Sequence, residues 1–303
     1  MFSGKTPSSS LTPAAVNDLS CRIAIVTGGG TGIGLMIAQG LAAANAKVYI
    51  TGRRLDVLEK IAKEWSGQAG GQILPLQMDV TDKESIIKAK KYIEETEGKL
   101  HILVNNAGQV GPKSLFMHDP VAPEKKDAET LGLALFNNED FASWGQLLEI
   151  NLSSIFFVST AFLGLLAKGS EDVEHFWSSI VNTTSISGIM KQAQAHFCYN
   201  SAKAAASHLT RLLSTELALN RIPVRVNAIA PGVYESEMTS HTILPEEVDK
   251  VSRGIASVPA RRAGTAQEMA GTAVYLVSRA GAYVNGQEII VDGGFLGVNP
   301  ARS

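Results

Sequence analysis

The sequence predicts an α/β domain: one doubly wound, seven-stranded parallel sheet with helices on both faces. Three observations carry this. Short apolar runs alternate with segments of helical periodicity along most of the 303 residues. A glycine-rich turn, Thr27-Gly28-Gly29-Gly30-Thr31-Gly32-Ile33-Gly34, follows the first apolar run and opens a helical pattern. No internal repeat or composition break divides the chain after residue 20, so residues 21–303 read as a single domain. Residues 1–20, rich in Ser, Thr, Pro and Ala, read as a flexible tail without the apolar core of a signal peptide.

The elements follow in order. Arg22-Ile-Ala-Ile-Val-Thr27 is a short apolar run of the kind a strand buried on both faces shows. Leu35–Ala46 reads as a helix, Lys47–Thr51 as the second strand, and Leu55–Glu64 as the next helix. Ile73–Met78 is a third strand, and Thr81 or Asp82 can cap a helix over Lys83–Thr96. His101–Val104 is a fourth strand, stopped by Asn105-Asn106-Ala107-Gly108. The alternation then breaks over 109–145, where Gly111-Pro112, Pro120, Pro123 and a charged run point to a long irregular insertion. It resumes with a helix over Leu147–Ala167, a strand Ser179–Thr183, a helix Tyr199–Leu219 and a strand Val224–Ile229. After Pro231-Gly232 a second irregular stretch covers 233–258, before a helix near Ala266–Val277 and a last strand Glu288–Val291.

Composition excludes several function classes. A net charge of −2 argues against a nucleic-acid partner held by phosphate neutralisation. Cys21 and Cys198 do not make a disulfide framework, so a reducing, cytoplasmic setting is expected. The histidines at 101, 118, 175, 196, 208 and 241 lack metal-ligand spacing, and no metal is expected. The apolar run Ile150–Ala167 has a membrane-like length, but Asn151, Ser153, Ser154, Ser159 and Thr160 interrupt it. A buried subunit interface suits it better than a bilayer.

Two motifs carry chemistry. Tyr199 and Lys203 stand four residues apart, which sets a phenol and an ammonium on one helix face. An ammonium beside a phenol favours the phenolate and lowers its pKa from about 10. The glycine turn between strand and helix lets backbone approach a pyrophosphate at the positive end of the helix. Together they point to proton and hydride chemistry on a nucleotide. At the end of the second strand stands Thr51-Gly52-Arg53-Arg54, with no carboxylate for the ribose hydroxyls of NAD. A guanidinium, Arg53, accommodates a 2′-phosphate, so NADP(H) is favoured; the alternative is that both arginines are only a solvated helix start.

Thr27–Gly34, Asn105-Asn106-Ala107-Gly108, Asn151, Ser185, Tyr199-x-x-x-Lys203, Pro231-Gly232 and Asp292-Gly293-Gly294 occur in this order over about residues 20–295. In this the chain resembles the short-chain dehydrogenases/reductases, and among them 3-oxoacyl-carrier-protein reductases and ketoreductases of secondary metabolism. The resemblance implies a single Rossmann-type domain in which cofactor and substrate share one sheet edge. It implies Tyr199 as the proton donor and Ser185 as the partner of the carbonyl oxygen. Lys203 would hold the nicotinamide ribose, and Asn151 a water relaying protons to Lys203. It also places Thr27, Gly28, Thr31, Gly32, Ile33 and Gly34 at the pyrophosphate, Asp79 and Val80 at adenine, and Asn106, Ala107 and Gly108 at the ribose. Pro231, Gly232, Val233 and Ser236 fall to the nicotinamide end, Ser236 where the family often has a threonine.

Two departures stand out. Ser185 lies fourteen positions before Tyr199, longer than the family's usual interval, with Ser187 at twelve as the rival. The forty-five positions from Asn106 to Asn151 also exceed the usual length, and the insertion is expected to be either a lid over the pocket or a peripheral loop. The reading is an NADPH-dependent reductase of a 3-oxoacyl or polyketide-like ketone. Alternatives are an NADP-linked polyol, sugar or steroid dehydrogenase, or a non-catalytic NADP(H)-binding relative. An enoyl reductase fits the Ser-Tyr-Lys set less well. The family also implies a homodimer or homotetramer through the helices beginning near Asn151 and Tyr199.

Overall fold

Strand and helix alternate from Ile23 onwards in the computed structural model of the chain, which describes residues 7–68, 70–172, 176–237, 239 and 243–300. His175 and His241 lie outside the described residues. The elements run α1 (Pro13–Asn17), β1 (Ile23–Thr27), α2 (Gly32–Ala43), β2 (Lys47–Gly52), α3 (Leu55–Trp65), β3 (Gln72–Gln77), α4 (Lys83–Thr96) and β4 (Ile102–Asn105). After β4 come α5 (Ala128–Asn138), α6 (Phe141–Leu148), α7 (Ser154–Glu171), β5 (Ser178–Thr183), α8 (Phe197–Leu219) and β6 (Val224–Pro231). The last elements are α9 (Val248–Ser252), α10 (Ala266–Val277), β7 (Glu288–Val291) and α11 (Phe295–Val298).

The seven strands form one parallel sheet in the order β3-β2-β1-β4-β5-β6-β7. The strand order reverses between β1 and β4, where an open parallel sheet leaves a crevice at its carboxyl edge. Both faces are covered, as the apolar runs require. On β1, Ala24 and Val26 join Ile37, Leu41, Met269 and Leu276 of α2 and α10 on one face. Ile23 and Ile25 join Ile86, Ile93, Phe162 and Leu166 of α4 and α7 on the other. This is the period-two alternation of a strand with no wet face.

A buried polar chain ties the sheet centre to α7 and α8. Asn105 and Asn182 are register partners on β4 and β5. Asn105 Nδ2 donates to Ser159 Oγ and to Asn182 Oδ1, both at 2.9 Å, and Asn182 Nδ2 donates to Thr210 Oγ1 at 2.9 Å. Such groups cost free energy unless paired, and pairing restricts α7 and α8 to one register against the sheet.

Several expectations change. The tail is not free up to residue 20: Thr12 caps α1, Leu19 is fully buried, and its N–H donates to Ala44 O at 2.7 Å. The insertion 109–145 is not irregular, because it contains all of α5 and the start of α6, each capped by an aspartate, Asp127 and Asp140. Its prolines fall before the helices, where they end extended chain rather than break a helix. The irregular stretch 233–258 contains the short helix α9. The helix placed over Leu147–Ala167 is longer and interrupted: α6 and α7 run on through a π-helical turn at Glu149–Ser153. By length and composition this run could cross a membrane. Its inner residues Ile155, Val158, Phe162 and Leu165 instead pack in the core, leaving Phe156 and Phe157 exposed.

His101 sits fully buried at the opposite, amino edge of the sheet. Its Nδ1 accepts the Ile23 N–H at 3.0 Å, which leaves Nε2 protonated and facing Asp172 Oδ2 at 3.1 Å. Burial pushes its pKa down to about 4 from 6.5, with Arg22 adding to the effect and Asp172 opposing it. Between these values the unfolded chain binds the extra proton, so stability falls as pH drops from about 6.5 to about 4. At about 1.4 kcal/mol per unit the loss reaches roughly 3 kcal/mol. Urea midpoints across this range should therefore fall in the parent and fall less in His101→Gln, which keeps both hydrogen bonds without titrating. Parallel curves would remove His101 as the cause.

Candidate active site

The carboxyl edge of the sheet opens into a cleft of about 670 Å³, within the range of small-molecule sites. The glycine turn after β1, the arginines after β2, Asp79 after β3 and the Asn106–Gly108 turn after β4 line it. Ser185 after β5, Tyr199 and Lys203 of α8, and Pro231-Gly232 at the end of β6 complete it.

The glycine turn is shaped by close approach. Gly28 and Gly32 hold φ of +63° and +52°, a region L side chains rarely adopt. A Cβ on Gly34 would lie 2.3 Å from Gly28 O and 2.4 Å from Asn106 Nδ2. Thr27 Oγ1 accepts the N–H groups of Asn106 and Ala107 at 2.9 and 3.0 Å. Asn106 Nδ2 donates back to Thr27 O at 3.0 Å and Gly28 O at 3.2 Å. Thr27 and Gly34 are therefore braces behind the turn and not part of the cleft lining, and the Asn106 side chain is occupied in the same brace. Gly28, Thr31, Gly32 and Ile33 line the cleft, as do Asp79, Val80, Ala107 and Gly108.

At the far end Arg53 and Arg54 both reach the cleft. Arg53 forms no salt bridge among the described residues; the Asp79 pKa is lowered against burial, by hydrogen bonds from Thr81 first and by the field of Arg53 after them. Arg54 is held by Glu237, with Nη2 at 2.9 Å from Oε2. Glu237 also accepts from Thr31 Oγ1 at 3.5 Å, so it spans from the glycine turn to the second strand. No spacing rule in the sequence pointed to Glu237, because it comes from the loop after β6. Ser236 lies against Gly32, 2.8 Å from where a Cβ would stand, and lines the cleft. Val233 does not; it packs with Phe295 and Val258 in a separate apolar cluster.

At the inner end Tyr199 and Ser185 stand side by side in the cleft wall, close enough for the Ser185 hydroxyl to act on the phenol. Of the two candidate serines Ser185 lines the cleft, and its Oγ also accepts the Ser187 N–H at 3.1 Å. The long interval to Tyr199 is absorbed by Gln194 and Ala195, both at positive φ. Lys203 is 5% exposed and donates from Nζ to Thr183 O at 2.8 Å, while standing 5.7 Å from the Tyr199 ring. Burial drives the phenol pKa up, against the Ser185 hydroxyl, and drives the Lys203 pKa down to about 8. The expected lowering of Tyr199 is thus not what this site does: burial raises the phenol pKa, and the Ser185 hydroxyl only partly offsets it.

Asn151 is 1% exposed in the π-helical turn. Its amide accepts the Gln109 N–H at 2.8 Å and donates to Gln109 O at 2.8 Å. It anchors the chain after β4. π-turns often mark functional positions, and here one turns Asn151 toward the cleft wall.

The cleft suits a dinucleotide. Thr51 Oγ1 and Thr183 Oγ1 are buried in its wall without hydrogen-bond partners. The glycine turn presents the N-terminus of α2, a site for phosphate. Arg53 and Arg54 follow β2, the neighbour of β1, and line the same cleft.

A family model described as enoyl-(acyl carrier protein) reductase matches residues 28–296. The chain is 36% identical over 309 residues to the short-chain dehydrogenase/reductase VdtF of Byssochlamys spectabilis, covering 96% of this chain and 98% of that protein. It is 32% identical over 277 residues to a rhamnolipids biosynthesis 3-oxoacyl-[acyl-carrier-protein] reductase of Pseudomonas aeruginosa, covering 91% and 97%. The Pseudomonas aeruginosa RhlG/NADP active-site complex superposes with a TM-score of 0.77 at 32% identity, over 92% of this chain and 98% of that one.

The buried lysine has a consequence for stability. Between about pH 8 and 10.5 the unfolded chain holds the proton that folded Lys203 has lost, so stability rises with pH there. The gain amounts to about 3 kcal/mol at most, at roughly 1.4 kcal/mol per unit. Lys203→Met should be more stable than the parent at neutral pH and lack this rise. A destabilised variant with an unchanged slope would refute the desolvation argument.

Proposed function

The chain belongs to the short-chain dehydrogenase/reductase family, and on that premise we propose that it is an NADPH-dependent carbonyl reductase acting on a ketone of 3-oxoacyl or polyketide-like type. One observation carries the reading: a Tyr199 phenol beside Ser185, with the Lys203 ammonium behind it, at one end of a cleft whose other end carries Arg53 and Arg54. The 3-oxoacyl reductase among the relatives and the NADP complex among the solved structures support the substrate class and the cofactor.

The chemistry the nucleotide supplies when bound is a hydride. Thr31, Gly32 and the start of α2 would hold its pyrophosphate, Arg53 its 2′-phosphate, and Lys203 its ribose. Ser185 orients the carbonyl oxygen and stabilises charge developing on it. Tyr199 donates its proton to that oxygen as the alkoxide forms. A raised pKa keeps the phenol protonated at neutral pH, which suits the reductive direction. Lys203, with a pKa of about 8, is mostly charged there and stabilises the phenolate left behind. Although the matched family model carries an enoyl reductase description, the Ser185 hydroxyl beside the proton donor favours C=O over C=C.

The outer faces of α7 and α8, with Phe156, Phe157, Leu212 and Leu219 exposed, support a homodimer or homotetramer. Sedimentation should give a mass of two or four chains; a monomer would overturn that assignment.

Fluorescence titration should find NADPH bound well ahead of NADH, with the preference lost in Arg53→Asp. Tyr199→Phe should bind NADPH as the parent does and lose ketone reduction by at least about 100-fold. Reduction by the parent should weaken as pH rises through about 8, where Lys203 discharges. Failure of either nucleotide to bind would refute the oxidoreductase reading. Persistent turnover in Tyr199→Phe would refute the role of the phenol.

A further inference from the structure

We propose that the ketone reduced at this site carries an anionic group, a carboxylate or a phosphate, gripped by Lys113 and Arg253 at the rim beyond Tyr199. The proposal rests on the reductase reading above and adds the charge class of the substrate.

The fold brings three separate segments to this rim. The Ser114 N–H donates to Ala195 O at 3.0 Å, which ties the start of the insertion to the loop preceding α8. Asn138 Nδ2 donates to Lys113 O at 3.1 Å, so α5 fixes the backbone that carries Lys113. Gln194 Nε2 donates to Ser252 O, which draws the end of α9, and with it Arg253, to the same loop. His196 lies among them, with its ring edge-on to Tyr199 and the centroids 6.3 Å apart. The rim therefore adjoins the proton donor.

Its charge is positive on balance, with Lys113 and Arg253 set against Glu139, which pairs with neither of them among the described residues. Lys113, Arg253 and His118 all act on His196 to disfavour its protonated form, and burial does so most, down to a pKa of about 4. The carboxylate that opposes them is Glu139. Its two oxygens are already taken, by Ser114 Oγ at 2.7 Å and Trp144 Nε1 at 2.7 Å. Lys125 also acts on His118, but its ammonium is spent on the carbonyls of Met117 and Asp119. Lys113 and Arg253 make no salt bridge among the described residues. His196 Nδ1 is buried without a partner.

The backbone holds Arg253 at φ 48°, in the left-handed cap of α9. A glycine would sit there with less strain, and such strain persists where the surroundings over-determine it. Two unneutralised cations beside a neutral imidazole, next to the reacting phenol, form a rim that attracts an anion and fixes which end of the ketone enters first.

Matched ketone pairs test this with NADPH. One pair is acetoacetyl-coenzyme A and its neutral N-acetylcysteamine thioester; the other is laevulinate and its methyl ester. At least one anionic member should be preferred over its neutral partner through KM, and the preferred pair identifies phosphate or carboxylate. Lys113→Gln and Arg253→Gly should each raise KM for the anionic member about five-fold more than for the neutral one. Lys113→Arg should retain the preference, and added salt should erode it. Equal KM within both pairs, or variants that shift both members alike, overturns the proposal while leaving the reductase reading in place. NADPH binding without turnover of any of the four overturns both.

Discussion

The site depends on a reciprocal brace between the turns after β1 and β4. At the reversal of strand order two chain segments leave the sheet in opposite directions, and nothing in sheet hydrogen bonding holds their turns together. Thr27 supplies one hydroxyl oxygen to two backbone N–H groups, and Asn106 returns one amide to two carbonyls. Four hydrogen bonds thereby close the floor of the cleft using groups that would otherwise be buried and unpaired. The brace dictates the glycine spacing, since Asn106 can reach Gly28 O only if Gly34 has no side chain. The front of the turn, where a phosphate is proposed to bind, is thus shaped by packing behind it.

From that floor the two working halves of the cleft follow by different means. The nucleotide half is made by strand ends and their first following residues, so sheet register alone places Arg53, Asp79 and Gly108 around one space. The reacting half depends on α8, whose position is set by the buried chain Asn105–Asn182–Thr210. That chain fixes Tyr199 and Lys203 relative to Ser185 at the end of β5. The cost is a buried ammonium with one carbonyl partner and a phenol kept protonated. Both are unfavourable to folding in isolation, and both poise the pair to give up a proton and then hold the resulting charge.

Much of this was legible in the sequence because it resides in local pattern. Parallel strands buried on both faces read as apolar runs, and the helix Lys83–Thr96 could be read to the residue from the Asp82 cap. The order of strand, glycine turn and helix pointed to one end of the cleft, and the spacing of Tyr199 and Lys203 to the other. What could not be read was the outcome of competing forces. A sequence shows a lysine near a tyrosine but not how little water reaches them, so the direction of the Tyr199 shift was misjudged. Thr27, Gly34 and Val233 carry no mark separating a brace or a core contact from a cleft wall. Proline content concealed α5 and α6 within 109–145, although Asp127 and Asp140 were available as caps.

The same distinction explains why the cofactor is easier to infer than the ketone. Strand ends present backbone in a fixed register, and a pyrophosphate is recognised by backbone N–H groups and a helix terminus. The substrate end of the cleft is proposed to be bounded by the insertion, the loop before α8 and the segment after β6, which no common ladder aligns. They are joined instead by single hydrogen bonds such as Ser114 to Ala195 and Gln194 to Ser252. Each such bond is worth about 1 kcal/mol, so the substrate end can change its charge and shape without disturbing the sheet. Chemistry is held by the core of the fold, and selectivity by contacts that the core does not need.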